Sequence, residues 1–192
     1  TNTTQNRSIA AYLKNPEEER NQYQDNTDKS FTQIKLINAQ QQPIGLINWH
    51  AVHGVSMSNG NALISGDNKG YASYLFEKEM QSNYQQDKTF VAAFAQANEG
   101  DASPNIFTDT ANGNCDDMTC VDIQHTYIIG ERQYQKAKEL FTREATSVGD
   151  EVDYRHQYLD MENTTVAPEF ANGNEEHTCK AALGYSFGAG TS

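Results

Sequence analysis

Positive charge is scarce in this chain. Lysine and arginine together number 14 against 26 acidic residues, a formal net charge of −12. Gripping a phosphate backbone takes clustered cations, so the balance argues against nucleic-acid binding, and anionic lipid head groups offer no attraction either. Long apolar runs are also missing, and no stretch approaches the roughly 20 residues a membrane-spanning helix needs. There is no recognisable leader: the chain opens Thr-Asn-Thr-Thr without a Met and closes on Gly188-Ala189-Gly190-Thr191-Ser192. Both ends read as cuts inside a longer protein, so the missing targeting segment carries little weight. No internal repeat or low-complexity tract stands out.

Cysteines are few. Cys115 and Cys120 lie close enough for a local disulfide, and Cys179 is left over. Zinc is the rival for such a pair, but no second Cys or His pair stands at finger spacing. Asn2-Thr3-Thr4, Asn6-Arg7-Ser8 and Asn163-Thr164-Thr165 fit the N-glycosylation pattern and lean the reading towards a secreted, cell-surface or periplasmic protein.

What the chain does have is one organising stretch, Phe90 to Asn105. Its first half, Phe90-Val91-Ala92-Ala93-Phe94-Ala95, suits a strand buried on both faces, though periodicity alone also allows a buried helix turn. Its second half carries Asn98, Gly100, Asp101, Ser103, Pro104 and Asn105, all turn formers. A buried element thus gives way to a polar loop bearing a serine, where ligand sites of α/β sheets gather. Ser103 is a candidate nucleophile. The same letters also suit an ordinary turn, for there is no Gly-x-Ser-x-Gly elbow and no base beside the serine.

Before this stretch, Asn15 to Arg20 reads as a helix start, with Asn15 as cap, Pro16 in the first turn and three glutamates at the positive end of the dipole. Phe31–Asn38 and Ile44–Val52 read as an antiparallel hairpin, with Ile34 and Leu36 on one face and Lys35 on the other. His50 and His53 follow three residues apart. Within a strand that spacing points them to opposite faces, so at most one can serve a metal and the other is packed or hydrogen-bonded. An amphipathic helix is expected over about residues 69–85, with Tyr71 and Leu75 four apart, as are Ala72, Phe76 and Met80, giving an apolar stripe. After a loop from Thr108 to Gln124, a second is expected over about 127–146. Val152 to Met161 alternates like a strand, with His156 as a hydrogen-bonded sheet histidine, and Gly184 to Gly188 reads as loop. These patterns imply an α/β class, mixed sheets flanked by helices.

Seven segments then carry a resemblance: NRSIAAYLKNPEEER, QPIGLINWHAVHGVSM, LISGDNKGYAS, FVAAFAQANEGDASPN, IIGERQYQKAKELF, VDYRHQYLDM and TCKAALGYSFGAGT. In these blocks the chain closely resembles the neutral ceramidases, in the family's order and over nearly its whole length. The resemblance implies a zinc-dependent hydrolase that cleaves the amide bond of ceramide to sphingosine and a fatty acid. It implies that residues 1–192 are an internal piece of one α/β catalytic domain, without the immunoglobulin-like domain that follows it in the family. Residue by residue, it assigns the catalytic serine to Ser103, a zinc-binding histidine to His53 and a substrate-contacting arginine to Arg7. A glycan on Asn6 would then crowd the pocket. His50 stands where the family usually has Phe. The remaining zinc ligands, a His upstream and a Glu and a Tyr downstream, are expected outside this chain, as is the partner of Cys179. The piece alone is therefore expected to be inactive. The resemblance carries no disulfide pattern beyond Cys115 with Cys120, since the region from Asn105 to Tyr127 is shorter than in animal members. Two other readings stand beside the amidase: a non-catalytic relative that binds lipid or a surface partner on the same scaffold, and a metal-free serine esterase.

Overall fold

The computed structural model describes residues 1–106, 118–149 and 151–182, the side chains of 118–121 excepted. It divides into two compact units, Thr1–Glu144 and Ala145–Ser192.

The first unit is built on a mixed three-stranded sheet. Strand β2 (Phe31–Ile37) pairs antiparallel with β3 (Pro43–His50), and β3 pairs parallel with β4 (Val91–Gln96), in the order β2-β3-β4. Helix α3 (Asp67–Glu79) connects the two parallel strands, making a βαβ unit. Helix α4 (Met118–Thr142) packs beside α3. Strand β1 (Gln5–Asn6) pairs with β5 (Ala102–Ser103), while α1 (Ile9–Tyr12) and α2 (Glu17–Arg20) are single turns. The hairpin forms where the hydrophobic pattern places it, and α3 starts close to where expected but ends at Glu79, short of the expected residue 85, as Gln81 takes a left-handed backbone, φ 57°. The class is mixed α/β.

The core lies between the sheet and the two long helices: Leu46, Phe76, Phe90, Ala92 and Ala137, with Phe31, Met80, Phe94, Tyr134 and Phe141 packed against it. Phe141 meets Phe76 and Phe90 edge-on at 5.2 and 5.9 Å, the arrangement ring quadrupoles favour. The covered face of β2 is the one bearing Lys35. Its ammonium donates to the Phe141 carbonyl and sits 4.4 Å from the Phe141 ring centroid, while Ile34 and Leu36 stay exposed. Strand β4 is likewise covered on one face, not two: Ala92 is buried and Val91 is 55 % exposed.

Three other expectations change. Helix α4 already begins at Met118, so 118–124 is helical and not loop. Asn15 does not cap α2, whose N-cap is Pro16 without a side-chain bond; the Asn15 carbonyl instead accepts from Arg20 Nε. Val152–Met161 forms no strand and is exposed throughout. Alternation prepares a segment for pairing, but a strand also needs a neighbour, and the described pairing in the second unit is only β6 (Thr165–Val166) with β7 (Glu176–His177). His156 is accordingly an exposed ring set edge-on to Tyr158 at 4.8 Å. Cys115, most of the loop expected from Thr108, Gly184–Gly188 and the side chain of Cys120 lie outside the described residues, and Cys179 is exposed with a free thiol.

The two long helices approach closely at Gly130. A Cβ there would lie 2.8 Å from the Asn68 carbonyl oxygen and 2.9 Å from Tyr71 Cδ1. Helix propensity alone favours Ala over Gly by about 1 kcal/mol, but overpacking typically costs about 1–3 kcal/mol. Gly130→Ala is therefore expected to lower the urea midpoint, and an unchanged or higher midpoint would show that the helices can part without cost.

His50 is wholly buried at the end of β3. Its Nδ1 lies 2.7 Å from the Ser30 carbonyl oxygen, which can only accept, so Nδ1 carries the proton and Nε2 accepts from the Thr3 hydroxyl at 2.7 Å. Burial pushes its pKa down to about 4, against the opposing pull of the Ser30 carbonyl. An unfolded chain takes up a proton below about pH 6.5 that the folded ring refuses until about pH 4. Stability should thus be fully present above that window and fall by roughly 3 kcal/mol as pH drops through it. Urea melts at pH 7 and pH 4.5 on wild type and His50→Phe check this. The variant should lose much less stability on acidification, and parallel losses would refute the assignment.

Candidate functional site

The carboxyl ends of the parallel strands β3 and β4 meet the loop after β3, and the backbone there is tied at Val52, His53, Ser56, Met57 and Ser58. The Gln96 side-chain amide clamps Val52, donating to its carbonyl at 2.7 Å and accepting from its N–H at 3.5 Å. His53 comes next. Its N–H donates to the Ala102 carbonyl at 3.0 Å, and its own carbonyl accepts from Asn68 Nδ2 at 2.9 Å. Asp67 then takes the N–H groups of Ser56 and Met57, each at 3.0 Å, and Asp122 takes the N–H and hydroxyl of Ser58 at 2.7 and 2.6 Å. Asp67 itself holds a left-handed backbone, φ 49°, which Asp tolerates better than most residues.

Ser103 arrives by a different route. A turn closed by Ala102 N–H to the Glu99 carbonyl, 2.8 Å, leads into β5, which pairs Ser103 with Gln5 and Ala102 with Asn6. Ser103 is 4 % exposed. Its hydroxyl oxygen accepts from the Asn105 N–H at 3.2 Å, which leaves its own O–H free to donate. Arg7 follows β1 directly, and its N–H donates to the Asp101 carbonyl at 2.7 Å. The Arg7 side chain is exposed. Arg7, His53 and Ser103 are therefore gathered on one strip of backbone, Asp101–Ser103, although 96 positions separate the first from the last.

Two charged residues beside this strip were not among the candidates read from the sequence. Glu99 places Oε1 3.6 Å from His53 Nδ1. Lys69, at the start of α3, donates to the carbonyls of His50 and Ala95 at 2.7 and 3.0 Å and so ties the ends of β3 and β4 together. Burial pushes the Lys69 pKa down to about 8, with the Glu99 charge acting the other way. In the sequence, both sit among turn formers, and only the fold shows that they face the same strand ends. Asn6 is buried, and its amide nitrogen donates to the Asn26 carbonyl and an Asp101 carboxylate oxygen at 2.9 and 2.7 Å, which engages the atom a glycan would need.

As a metal ligand, His53 fits in part. Its side chain is 36 % exposed, and a carboxylate beside Nδ1 favours the tautomer whose Nε2 lone pair is free. Among the described residues, however, no group of three or more His, Cys, Asp or Glu side chains could hold an ion. A cavity of about 310 Å3 opens beside the His53 loop, with Met57, Leu63, Ile64, Tyr71, Ile123 and Tyr127 in its wall.

Comparison with known proteins gives this arrangement its context. The family model described as neutral/alkaline non-lysosomal ceramidase, N-terminal, matches residues 1–192. Neutral ceramidase B of Dictyostelium discoideum is 42 % identical over 99 % of this chain and 30 % of its own length, and neutral ceramidase A of the same organism is 40 % identical over the same shares. The crystal structure of neutral ceramidase from Pseudomonas aeruginosa superposes with a TM-score of 0.77 at 36 % identity, over 97 % of this chain and 28 % of that one. The chain thus spans about 30 % of the length of the curated relatives it matches. On a family match over its whole length, with relatives and a solved structure that agree, the chain belongs to the neutral/alkaline non-lysosomal ceramidase family.

Proposed function

We propose that the protein containing this chain hydrolyses the amide bond of ceramide, with zinc, to sphingosine and a free fatty acid. The observation that carries the reading is the convergence of Arg7, His53 and Ser103 on the Asp101–Ser103 backbone in a chain of this family. Zinc, when bound, would supply a Lewis acid at the carbonyl and a water of lowered pKa. His53 would be one ligand. A catalytic zinc takes about three from protein, so the others would come from residues outside this chain.

The chain's own residues do the rest. No base is bonded to the Ser103 hydroxyl among the described residues; its partner is an N–H donor, so the O–H is presented for donation or for loss to an acceptor supplied from elsewhere. The exposed Arg7 guanidinium offers a fork of donors to the polar head of the substrate. The ties on Val52, His53 and Ser56 hold the histidine's backbone still, as orienting a reacting carbonyl requires. Contact with a membrane surface would come through the lipid substrate; among the described residues no helix is long and apolar enough to cross a bilayer. Export of the protein belongs to the same proposal, motivated by the triplets at Asn2 and Asn163, whose asparagines are exposed.

The test is release of fatty acid from a ceramide by the full-length protein, run with chelator and again after zinc is restored. Loss and recovery support the zinc amidase. Full activity in chelator points to the metal-free esterase. Ceramide binding without turnover under every condition points to the non-catalytic relative, which the incomplete ligand set motivates.

A further inference from the structure

Glu99 has no role in the mechanism above, yet its placement is specific. Its carbonyl closes the turn that delivers Ser103 into β5, so its backbone is set by the same hydrogen bond that shapes the site. Its side chain reaches back across the strip to His53, with Oε1 3.6 Å from Nδ1. At that distance the two atoms are close neighbours without a formed hydrogen bond. The second oxygen, Oε2, is buried and has no hydrogen-bond partner among the described residues. A buried carboxylate oxygen without a partner is costly, and such a cost persists where the group serves another purpose.

We propose that Glu99 is a positioning residue for His53: its carboxylate, 3.6 Å from Nδ1, draws the ring proton to that nitrogen, favours the Nδ1–H tautomer and turns Nε2 out as the lone pair that binds zinc. The inference rests on the proposed role of His53. Its chemistry is that of a carboxylate behind a ligating imidazole, which raises the basicity of the ligand and holds its plane. One residue thereby serves both halves of the site, the turn through its main chain and the histidine through its side chain.

The experiment uses the full-length protein and two readouts. Zinc affinity is measured by competition with a chromophoric chelator for wild type, Glu99→Ala, Glu99→Gln and His53→Ala. The ring tautomer of His53 is read from its nitrogen chemical shifts in metal-free protein at a pH where the ring is neutral. Both Glu99 variants are expected to weaken zinc binding by about 10–100-fold, the usual effect of losing such an outer partner, and His53→Ala by more. Glu99→Ala should also move the His53 tautomer towards Nε2–H, which a purely structural role for Glu99 would not do. Glu99→Gln keeps the side-chain volume, so its affinity decides the matter should the Ala variant fold poorly. If His53→Ala loses zinc while both Glu99 variants keep wild-type affinity and tautomer, this proposal is wrong and the zinc amidase stands. If His53→Ala binds zinc as wild type does, both fall together.

Discussion

Ser103→Ala is expected to lower ceramide hydrolysis by the full-length protein at least about a thousandfold, with little change in KM, if its oxygen attacks the carbonyl. The same variant should fold. Ser103 is buried, but its hydroxyl has one described partner, the Asn105 N–H at 3.2 Å, and a hydrogen bond of this kind contributes about 1 kcal/mol net. Urea melts should therefore move only slightly, which separates lost chemistry from lost structure. A serine that only orients the substrate gives a different signature: a fall of about ten- to a hundredfold with a raised KM. A variant within a factor of two of wild type in both constants would remove Ser103 from the site. Initial rates over a range of ceramide concentrations in mixed micelles distinguish the three.

The second large effect is on stability. Asp67 is 8 % exposed, and its carboxylate gathers the N–H groups of Ser56 and Met57, each at 3.0 Å, and of Asn68 at 2.7 Å. Asp67→Ala removes the acceptor and leaves these donors to find others inside the protein. Each stranded donor costs about 1–3 kcal/mol before relaxation, so a loss of roughly 3–5 kcal/mol is expected. The αL backbone adds to it, since Ala tolerates φ 49° less well than Asp. Asp67→Asn keeps the shape, one acceptor and the tolerance of αL, so it should lose about half as much or less. Equilibrium urea unfolding of the three proteins decides: a loss below about 1 kcal/mol for the Ala variant would mean that water replaces the carboxylate and that the loop is not held from α3. The same loss should reach the site, because the neighbouring Asn68 amide holds the His53 carbonyl.

Local chemistry was legible in the sequence where it depends on near neighbours. The β2–β3 hairpin follows from two alternating segments around a polar turn, and α3 from apolar residues at helical spacing. The blocks of family resemblance singled out Arg7, His53 and Ser103, and the strand spacing set His50 apart from His53. Tertiary structure decided what those local patterns leave open. The face of β2 that turns to the helices is the Lys35 face, because α4 lies on that side and Phe141 gives the ammonium an acceptor and a ring. The alternation of Val152–Met161 yields no strand, because pairing is a property of two segments and the described residues bring no partner. Neither Lys69 nor Glu99 stands out from its neighbours in the sequence, yet buried backbone carbonyls place one and a turn before β5 places the other, at the ends of the same two strands. The residue types that allow the chemistry were determined by the sequence alone. Their meeting on one strip depends on hydrogen bonds between residues tens of positions apart, such as His53 N–H to the Ala102 carbonyl, and no pattern within either segment encodes such a bond.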